Sequence, residues 1–383
     1  YKKVELKNSL DYKNLKNDIK PIFKKDTQLI IYLSISPDFF WDFIKNSKFL
    51  ELDSKTKIIF EKPFWKDLKT AIKLNKQITW VFEEKQIYRI DHYVWKEAIQ
   101  NILAFRFANM IFEPIWNNKY IDNIQIISSE NLWVEERWNY YDKSWALKDM
   151  VQNHLFQVLS LVCMDAPAMI DAESITAEKL KILKSINILN DFENDIVFWQ
   201  YEWYTNEVWV EKNSKTETFT AMKLEICNMN MIWIPIYLKT GKNLDKKSTS
   251  IVVEFKEIPE ILFKKFWEIE KNKIIFKIYP TESIDIYFNI KENWNSKKIQ
   301  KVNSRFEKKS SSKEAYEKLI EDVITWDKTL FTDFEILKQS WKIVDWLVNC
   351  KDNCPILHKY KPWSKWPEAW NNLLLKDNKK WYE

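Results

Sequence analysis

Two of the three histidines in this 383-residue sequence, His92 and His154, fall in segments dense with other reactive side chains. In Leu147-Lys148-Asp149-Met150-Val151-Gln152-Asn153-His154-Leu155 the apolar spacing predicts an amphipathic helix with Asp149, Asn153 and His154 on or beside its polar flank. Imidazole titrates near neutrality and is the commonest general base; the competing reading is a core histidine satisfied beside an apolar stripe. A carboxylate that fixes the ring tautomer favours the base, and Asp91, at a strand end, is the candidate. In Asp91-His92-Tyr93-Val94-Trp95-Lys96-Glu97 an imidazole and an ammonium stand four residues apart, a spacing that on one helical turn would aim both at a shared anion such as a phosphate. The alternative there is a solvated helix start with Asp91 as N-cap. The single glycine, Gly241, ends an apolar run in Tyr237-Leu238-Lys239-Thr240-Gly241-Lys242 and is followed by Lys246 and Lys247, a basic turn suited to an anionic ligand. In Glu61-Lys62-Pro63 a lysine sits between an apolar run and a proline whose peptide bond could be cis, which would aim Lys62 rigidly at a cleft.

These groups need a scaffold. Residues 28–35 form a continuous apolar run closed by Ser36-Pro37, residues 38–50 read as a helix, and further runs at 56–60 and 86–90 lead into Lys62 and into Asp91-His92. Strand, helix, strand, helix, strand is the pattern of a doubly wound α/β domain, whose working residues lie just past the strand C-termini. Beyond residue 95 helices are expected at 96–111 and 146–164. Strands follow at 218–226, 232–239, 249–256, 274–279 and 284–290, as a mainly antiparallel sheet. Residues 291–313 read as a long exposed loop, and helices resume at 314–325 and 333–347.

Composition narrows the function. The 60 basic and 55 acidic residues are interspersed, so the net charge of +5 forms no nucleic-acid stripe. Cys163, Cys227, Cys350 and Cys354 lack paired metal-ligand spacing; free thiols are expected, and no metal site. No run approaches the roughly 20 apolar residues of a membrane span and no secretory leader is present, which points to a cytoplasmic protein. The sequence begins with Tyr1 rather than Met, as an N-terminally incomplete chain would. The strangest feature is 21 Trp beside one Gly, where average usage puts Gly near roughly 7%. An aromatic surface for stacking sugars or bases is one reading. The other is that UGA codons, rendered here as tryptophan, encode glycine, since Trp65 and Trp138 stand in polar turns.

Taken in order, Glu61-Lys62-Pro63-Phe64, Tyr88-Arg89-Ile90-Asp91-His92-Tyr93 with Lys96-Glu97, Gln100-Asn101, Arg106-Phe107-Ala108-Asn109, Phe112-Glu113-Pro114-Ile115-Trp116-Asn117, Tyr120-Ile121-Asp122-Asn123, Asp149-Met150-Val151-Gln152-Asn153-His154-Leu155, Thr216-Glu217-Thr218-Phe219 and residues 235–242 closely resemble the glucose-6-phosphate dehydrogenase family over nearly the whole chain. The resemblance implies α/β plus α+β architecture: the remainder of a Rossmann-type dinucleotide-binding domain over residues 1–92, then a large α+β domain with a mainly antiparallel sheet over residues 93–383, for substrate binding and dimerisation. It implies oxidation of glucose 6-phosphate to 6-phosphogluconolactone with hydride transfer to NADP, the first step of the oxidative pentose phosphate pathway.

By the same resemblance His154 is the general base and Asp91 its carboxylate partner. His92, Tyr93 and Lys96 bind the phosphate. Glu130 and Asp149 bond sugar hydroxyls, and Lys242 and Lys247 are further basic substrate contacts. Lys62 is shared between cofactor and substrate, and Pro37 borders the nicotinamide. A homodimer or homotetramer is implied, with neither nucleic acid nor membrane as partner. Family glycines correspond to Trp65, Trp95, Trp133, Trp138, Trp145, Trp203, Trp233, Trp326, Trp363 and Trp366, whereas Trp116, Trp341 and Trp381 match family tryptophans. Glu136 and Asn139 also replace family glycines, Lys239 replaces an Arg, and Lys277-Ile278-Tyr279-Pro280 replaces Arg-x-Gln-Pro, which bears on one sugar contact and on a second, structural cofactor site. The glycine-rich turn that holds the pyrophosphate in the family has no counterpart here. Two alternatives stand beside this reading. One is a sugar oxidoreductase of the glucose-fructose oxidoreductase kind, which shares Glu61-Lys62-Pro63; the other is a non-catalytic fragment that assembles with partner subunits.

Overall fold

Three short, largely apolar runs build the sheet of the first of two units. The computed structural model describes residues 2–24, 27–62, 65–132, 145–187, 195–207, 210–265, 267–293, 298–307, 315–352, 357–365 and 371–382. One unit comprises Tyr1–His92, Pro167–Ala177 and Glu314–Asp345; the other comprises Tyr93–Ala166, Glu178–Lys313 and Trp346–Glu383.

In the first unit β1 (Ile30–Leu33), β2 (Lys57–Phe60) and β3 (Ile87–Arg89) pair in parallel in that order. β2 and β3 are buried at every position, so each reads as an unbroken run rather than as an alternation. Of the two charged residues in these strands, Lys57 and Arg89, Lys57 is satisfied inside this unit: its ammonium donates to Gln28 Oε1 at 3.0 Å and to the carbonyls of Val323 and Ile324. Those carbonyls lie in the last turn of the helix Ala315–Thr325, where the intrahelical donors run out. Helices α1 (Ser9–Ile19), α2 (Phe40–Ser47) and α3 (Leu68–Ile78) complete the layer; Phe40 of α2 meets Phe60 edge-on at 5.2 Å. α3 starts where Asp67 and Thr70 form a reciprocal capping box.

The second unit is organised by a ten-stranded sheet. Its strands are β4 (Ile121–Ser129), β5 (Ile186–Asn187), β6 (Ile196–Tyr201), β7 (Phe219–Ile226), β8 (Ile236–Gly241), β9 (Ser248–Phe255), β10 (Lys273–Tyr279), β11 (Ser283–Lys291), β12 (Ile299–Glu307) and β13 (His358–Tyr360). The order is β12-β11-β10-β9-β4-β8-β7-β6-β13, with β5 beside β7; only β4·β8 and β6·β13 are parallel among the pairs. Helix α4 (Glu97–Phe107) comes just before the sheet in sequence. Between β4 and β5 the chain forms a π-helix, Leu147–Leu155, continued by α5 (Phe156–Cys163), which is buried throughout.

Several expectations need correction. Residues 291–313, expected as a loop, contain β12, an exposed edge strand whose polar side chains gave no apolar signal; it is held through backbone pairing with all of β11. The strand expected at 232–239 starts only at Ile236, because Met231–Ile234 closes a turn. β4 and β6 were not expected. In β4 the polar Asp122, Asn123 and Gln125 mask the period, and they are paired internally: Gln125 donates to the Lys380 carbonyl at 2.9 Å and accepts from the Tyr382 amide at 2.9 Å. Cys163, Cys227 and Cys350 are free thiols, Cys163 pushed up to about 12 by burial, while Cys354 lies outside the described residues.

Candidate active site

In the first unit every expected site residue follows the C-terminal end of a parallel strand. Pro37 opens a 3-10 turn four residues after β1, Lys62 stands two residues past β2, and Asp91 and His92 follow β3. This is the edge at which open α/β sheets bind ligands. Asp91 is fully buried and His92 exposed. Arg89, in the same segment, is structural: fully buried, it binds Glu84 with both terminal nitrogens, at 2.5 and 3.0 Å, and Asn75 at 2.7 Å. That clamp fixes the end of β3 just before Asp91. The helical spacing expected for His92 and Lys96 is not realised. Residues 92–95 are turn, α4 begins at Glu97 with Lys96 as its N-cap, and Asp91 caps no helix. Pro63, Phe64, Trp133, Glu136, Trp138, Asn139 and Trp366 lie outside the described residues.

In the second unit the parallel pair β4·β8 brings two strand ends together. Ser129 is in register with Gly241, so Glu130 and Lys242 leave the sheet side by side; the Glu130 amide donates to the Gly241 carbonyl at 2.9 Å. Gly241 is required by a close approach rather than by its φ, since a Cβ there would meet Phe219 Cδ2 at 2.7 Å. The Lys242 ammonium lies 2.5 Å from Glu130 Oε2 and 3.9 Å from Asp149 Oδ2, one cation between two carboxylates. Its own backbone is held by Tyr360, whose hydroxyl donates to the Lys242 carbonyl at 2.6 Å.

Asp149 comes from the π-helix, and so does His154. Expected as α-helical, the segment instead makes i→i+5 turns. Residues five apart, such as Asp149 and His154, then stand one turn above another, whereas an α-helix would swing them to different faces. Its start is anchored by the buried Glu217, which accepts the Leu147 amide on Oε1 at 3.2 Å and the Ala146 amide on its carbonyl at 3.2 Å.

His154, 2% exposed, stacks on Tyr93 with ring centroids 4.3 Å apart and planes at 17°. Tyr93 pairs through its hydroxyl with Ser128 Oγ at 3.2 Å, and the Lys96 ammonium lies 4.4 Å over its ring. Thus Tyr93, Lys96, Glu130, Asp149, His154 and Lys242 are joined pairwise or through one helix. Lys247, exposed before β9, instead puts its ammonium 4.8 Å over the Tyr279 ring.

Three residues in supporting roles, Ser128, Glu217 and Tyr360, were given no role from sequence: Glu217 stands in a family-like segment whose purpose the sequence does not show, and a serine in a strand and a distant tyrosine carry no local signature. Among the substitutions, Lys239 is buried with its ammonium 4.3 Å over Trp381, and Lys277 pairs with the buried Asp285 at 2.9 Å. Burial opposes ionisation of Asp285, but Arg305 and Lys277 outweigh it and hold the carboxyl below its usual range. Among the described residues no helix is long and apolar enough to cross a membrane.

Comparison with known proteins identifies the family. Residues 1–101 match the family model of the glucose-6-phosphate dehydrogenase NAD binding domain and residues 103–382 that of the C-terminal domain. The chain is 38% identical to glucose-6-phosphate 1-dehydrogenase of Bacillus subtilis, over 96% of this chain and 80% of that protein. It is 40% identical to the enzyme of the same name from Borreliella burgdorferi, over 95% of this chain and 81% of that protein. Two solved structures superpose on all of the chain and 82% of theirs at 28% identity: a glucose-6-phosphate dehydrogenase in complex with its substrate glucose-6-phosphate, at a TM-score of 0.93, and glucose-6-phosphate 1-dehydrogenase from Mycobacterium avium, at 0.89. Both halves of the sequence, and the fold they make, place this chain in the glucose-6-phosphate dehydrogenase family.

Proposed function

We propose that the protein oxidises glucose 6-phosphate at C1 to 6-phosphoglucono-1,5-lactone, with NADP as hydride acceptor. The observation that carries the site assignment is the π-helix, which sets the carboxylate of Asp149, salt-linked to Lys242, one turn from the imidazole of His154. Glu130 and Asp149 accept hydrogen bonds from sugar hydroxyls, and Lys242 holds the two carboxylates close. His154 removes the C1 hydroxyl proton, and the Asp91 carboxylate orients its imidazole and stabilises the imidazolium that forms. His92, Tyr93 and Lys96 receive the phosphate, with Lys247 as an outlying cation. Stacking on Tyr93 fixes the plane of the base without consuming either ring nitrogen.

Lys62 and Pro37, at the strand ends of a parallel sheet, suit the nicotinamide side of a dinucleotide, a cationic and an apolar group on the edge where such ligands bind. When bound there, the cofactor supplies the hydride acceptor. The family match favours this reading over a sugar oxidoreductase of the glucose-fructose oxidoreductase kind. Self-association through the large sheet, as a dimer or tetramer, and a cytoplasmic location fit the same assignment.

The test is absorbance of the reduced nicotinamide for the protein as its own cell makes it. Growth with glucose 6-phosphate and NADP, but not with glucose, is the expected result; no growth from folded protein with either NADP or NAD overturns the proposal.

A further inference from the structure

Glycine is almost missing from this chain, yet the backbone is shaped as though glycine were present. Among the described residues nine non-glycine residues have φ between 50 and 70°, and five of them are Trp145, Trp203, Trp233, Trp326 and Trp363. Those are five of the fifteen tryptophans described, whereas only a few per cent of non-glycine residues adopt such angles. There the Cβ of an L-residue crowds the following carbonyl, and a bulky side chain makes the conformation a genuine outlier. Glycine has no Cβ and enters it freely.

Hydrogen bonds show what three of these positions do. Trp326 follows the helix Ala315–Thr325: its amide donates to the Val323 carbonyl at 3.4 Å, and the next amide, Asp327, donates to the Asp322 carbonyl at 2.8 Å. These are the paired bonds of a Schellman motif, with Trp326 at the left-handed position that glycine ordinarily fills. In Lys361-Pro362-Trp363-Ser364 the Ser364 amide donates back to the Lys361 carbonyl at 3.3 Å and Trp363 has φ 53°. Proline second and a left-handed residue third is the type II turn, whose third residue is glycine or asparagine. Trp233, at φ 68°, is third in the turn Met231–Ile234, closed by a 3.1 Å bond. Trp145, at φ 54°, turns the chain into the helix that carries Asp149 and His154.

Three of the side chains stand largely in solvent: Trp203, Trp233 and Trp363 are 57%, 79% and 56% exposed. Trp116, Trp341 and Trp381 differ on both counts. None has a left-handed backbone, all are buried, and the Trp116 indole donates to the Val162 carbonyl at 2.8 Å.

We infer that the protein made in its own cell carries glycine at positions 145, 203, 233, 326 and 363, where UGA is decoded as glycine, and tryptophan at 116, 341 and 381. The inference is independent of the reaction catalysed, because it rests on backbone geometry and side-chain burial rather than on the site. The test is mass spectrometry of proteolytic peptides from the protein isolated from its own organism, read beside the gene. Peptides spanning 203, 233, 326 and 363 are expected to be lighter by the difference between a tryptophan and a glycine residue, with UGA at the five codons and UGG at 116, 341 and 381. Tryptophan in those peptides, or UGG at the five codons, overturns the inference. A second arm uses the recombinant chain: Trp203→Gly and Trp233→Gly are expected to leave Tm unchanged or higher, since relief of the left-handed strain offsets the added freedom of the unfolded chain. A lower Tm in both variants counts against it.

Discussion

Tyr93 and His154 form a parallel stack, 4.3 Å between ring centroids, and the same tyrosine is tied to the sheet through its hydroxyl to Ser128. The His154 imidazole is thereby indexed to β4 by a rigid ring. A stack of this kind contributes about 0.5–1.5 kcal/mol, so its loss from the reacting geometry corresponds to roughly a two- to tenfold fall in rate. Tyr93→Leu is expected to lower kcat by that amount. Tyr93→Phe keeps the stack and loses the hydroxyl, so kcat stays close to the parent value while KM for glucose 6-phosphate rises. Steady-state kinetics of the two variants separate the roles, and equal kcat losses in both would show that the ring itself does not position the base.

His154→Asn retains a polar side chain of similar reach in a buried site but cannot take up the proton. The expected result is a kcat at least ~10²-fold lower, as is typical when a general base is lost, with Tm little changed. A variant with near-normal kcat would remove His154 from the mechanism.

Lys242 is the cation between Glu130 and Asp149. Lys242→Met keeps much of the aliphatic stem and leaves two carboxylates facing each other. A hydrogen bond to a charged group contributes about 1.5–3 kcal/mol, so KM for glucose 6-phosphate should rise by at least ~10-fold. Lys242→Arg should recover part of that rise, because the charge is kept though the planar fork differs. Substrate titration of both variants checks this.

Legibility in the sequence followed burial. β1, β2 and β3 were plain because each is a short, largely apolar run, buried at every position in β2 and β3, and with them came Pro37, Lys62, Asp91 and His92 at the strand ends. Asp149 and His154 came from the helical spacing around them and Lys242 from the basic turn after Gly241, whereas Glu130 came from the family resemblance alone. The π-geometry of Leu147–Leu155 was not legible, because i→i+5 and i→i+4 hydrogen bonding differ by one residue per turn and the apolar spacing suits both. β12 was missed because an edge strand can be stabilised through its backbone alone, with residues such as Gln300, Lys301 and Ser304 facing solvent. The roles of Glu217 and Tyr360 depend on partners far along the chain, Leu147 and Lys242, and no local pattern encodes such pairings.

The Asp285 cluster gives a pH dependence with a definite sign. Burial opposes its charge, but Arg305 at 2.9 and 3.0 Å and Lys277 at 2.9 Å outweigh that and depress its folded pKa. A carboxyl depressed in the folded state binds fewer protons there than in the unfolded chain, so its contribution is full at neutral pH and is lost as pH falls through the folded value. Asp285→Asn is expected to be less stable than the parent at pH 7 and to show a shallower loss of stability between about pH 5 and pH 2. Urea midpoints across that range measure it, and parallel curves would place the acid sensitivity in other carboxyls, such as Asp122, which Lys379 and Lys271 also hold low against the opposing effect of burial.

Gly241 makes a sharper steric case, because it sits in the middle of the sheet at the hinge between β8 and the Lys242 turn. An alanine methyl there would fall 2.7 Å from Phe219 Cδ2 and 3.1 Å from Leu244 Cδ1, both fully or nearly fully buried side chains with no room to yield. Overpacking of a filled core costs about 1–3 kcal/mol, against the roughly 0.5–1 kcal/mol that alanine would otherwise gain over glycine in a strand. Gly241→Ala should therefore lower Tm and raise KM together, since Phe219 and the Lys242 backbone share the displaced wall. Phe219→Leu in the Gly241→Ala background clears the space in front of the methyl and should recover part of both losses. Recovery of Tm without KM would mean that the turn carrying Lys242 is set by Tyr360 and Thr218 rather than by the close approach at Gly241.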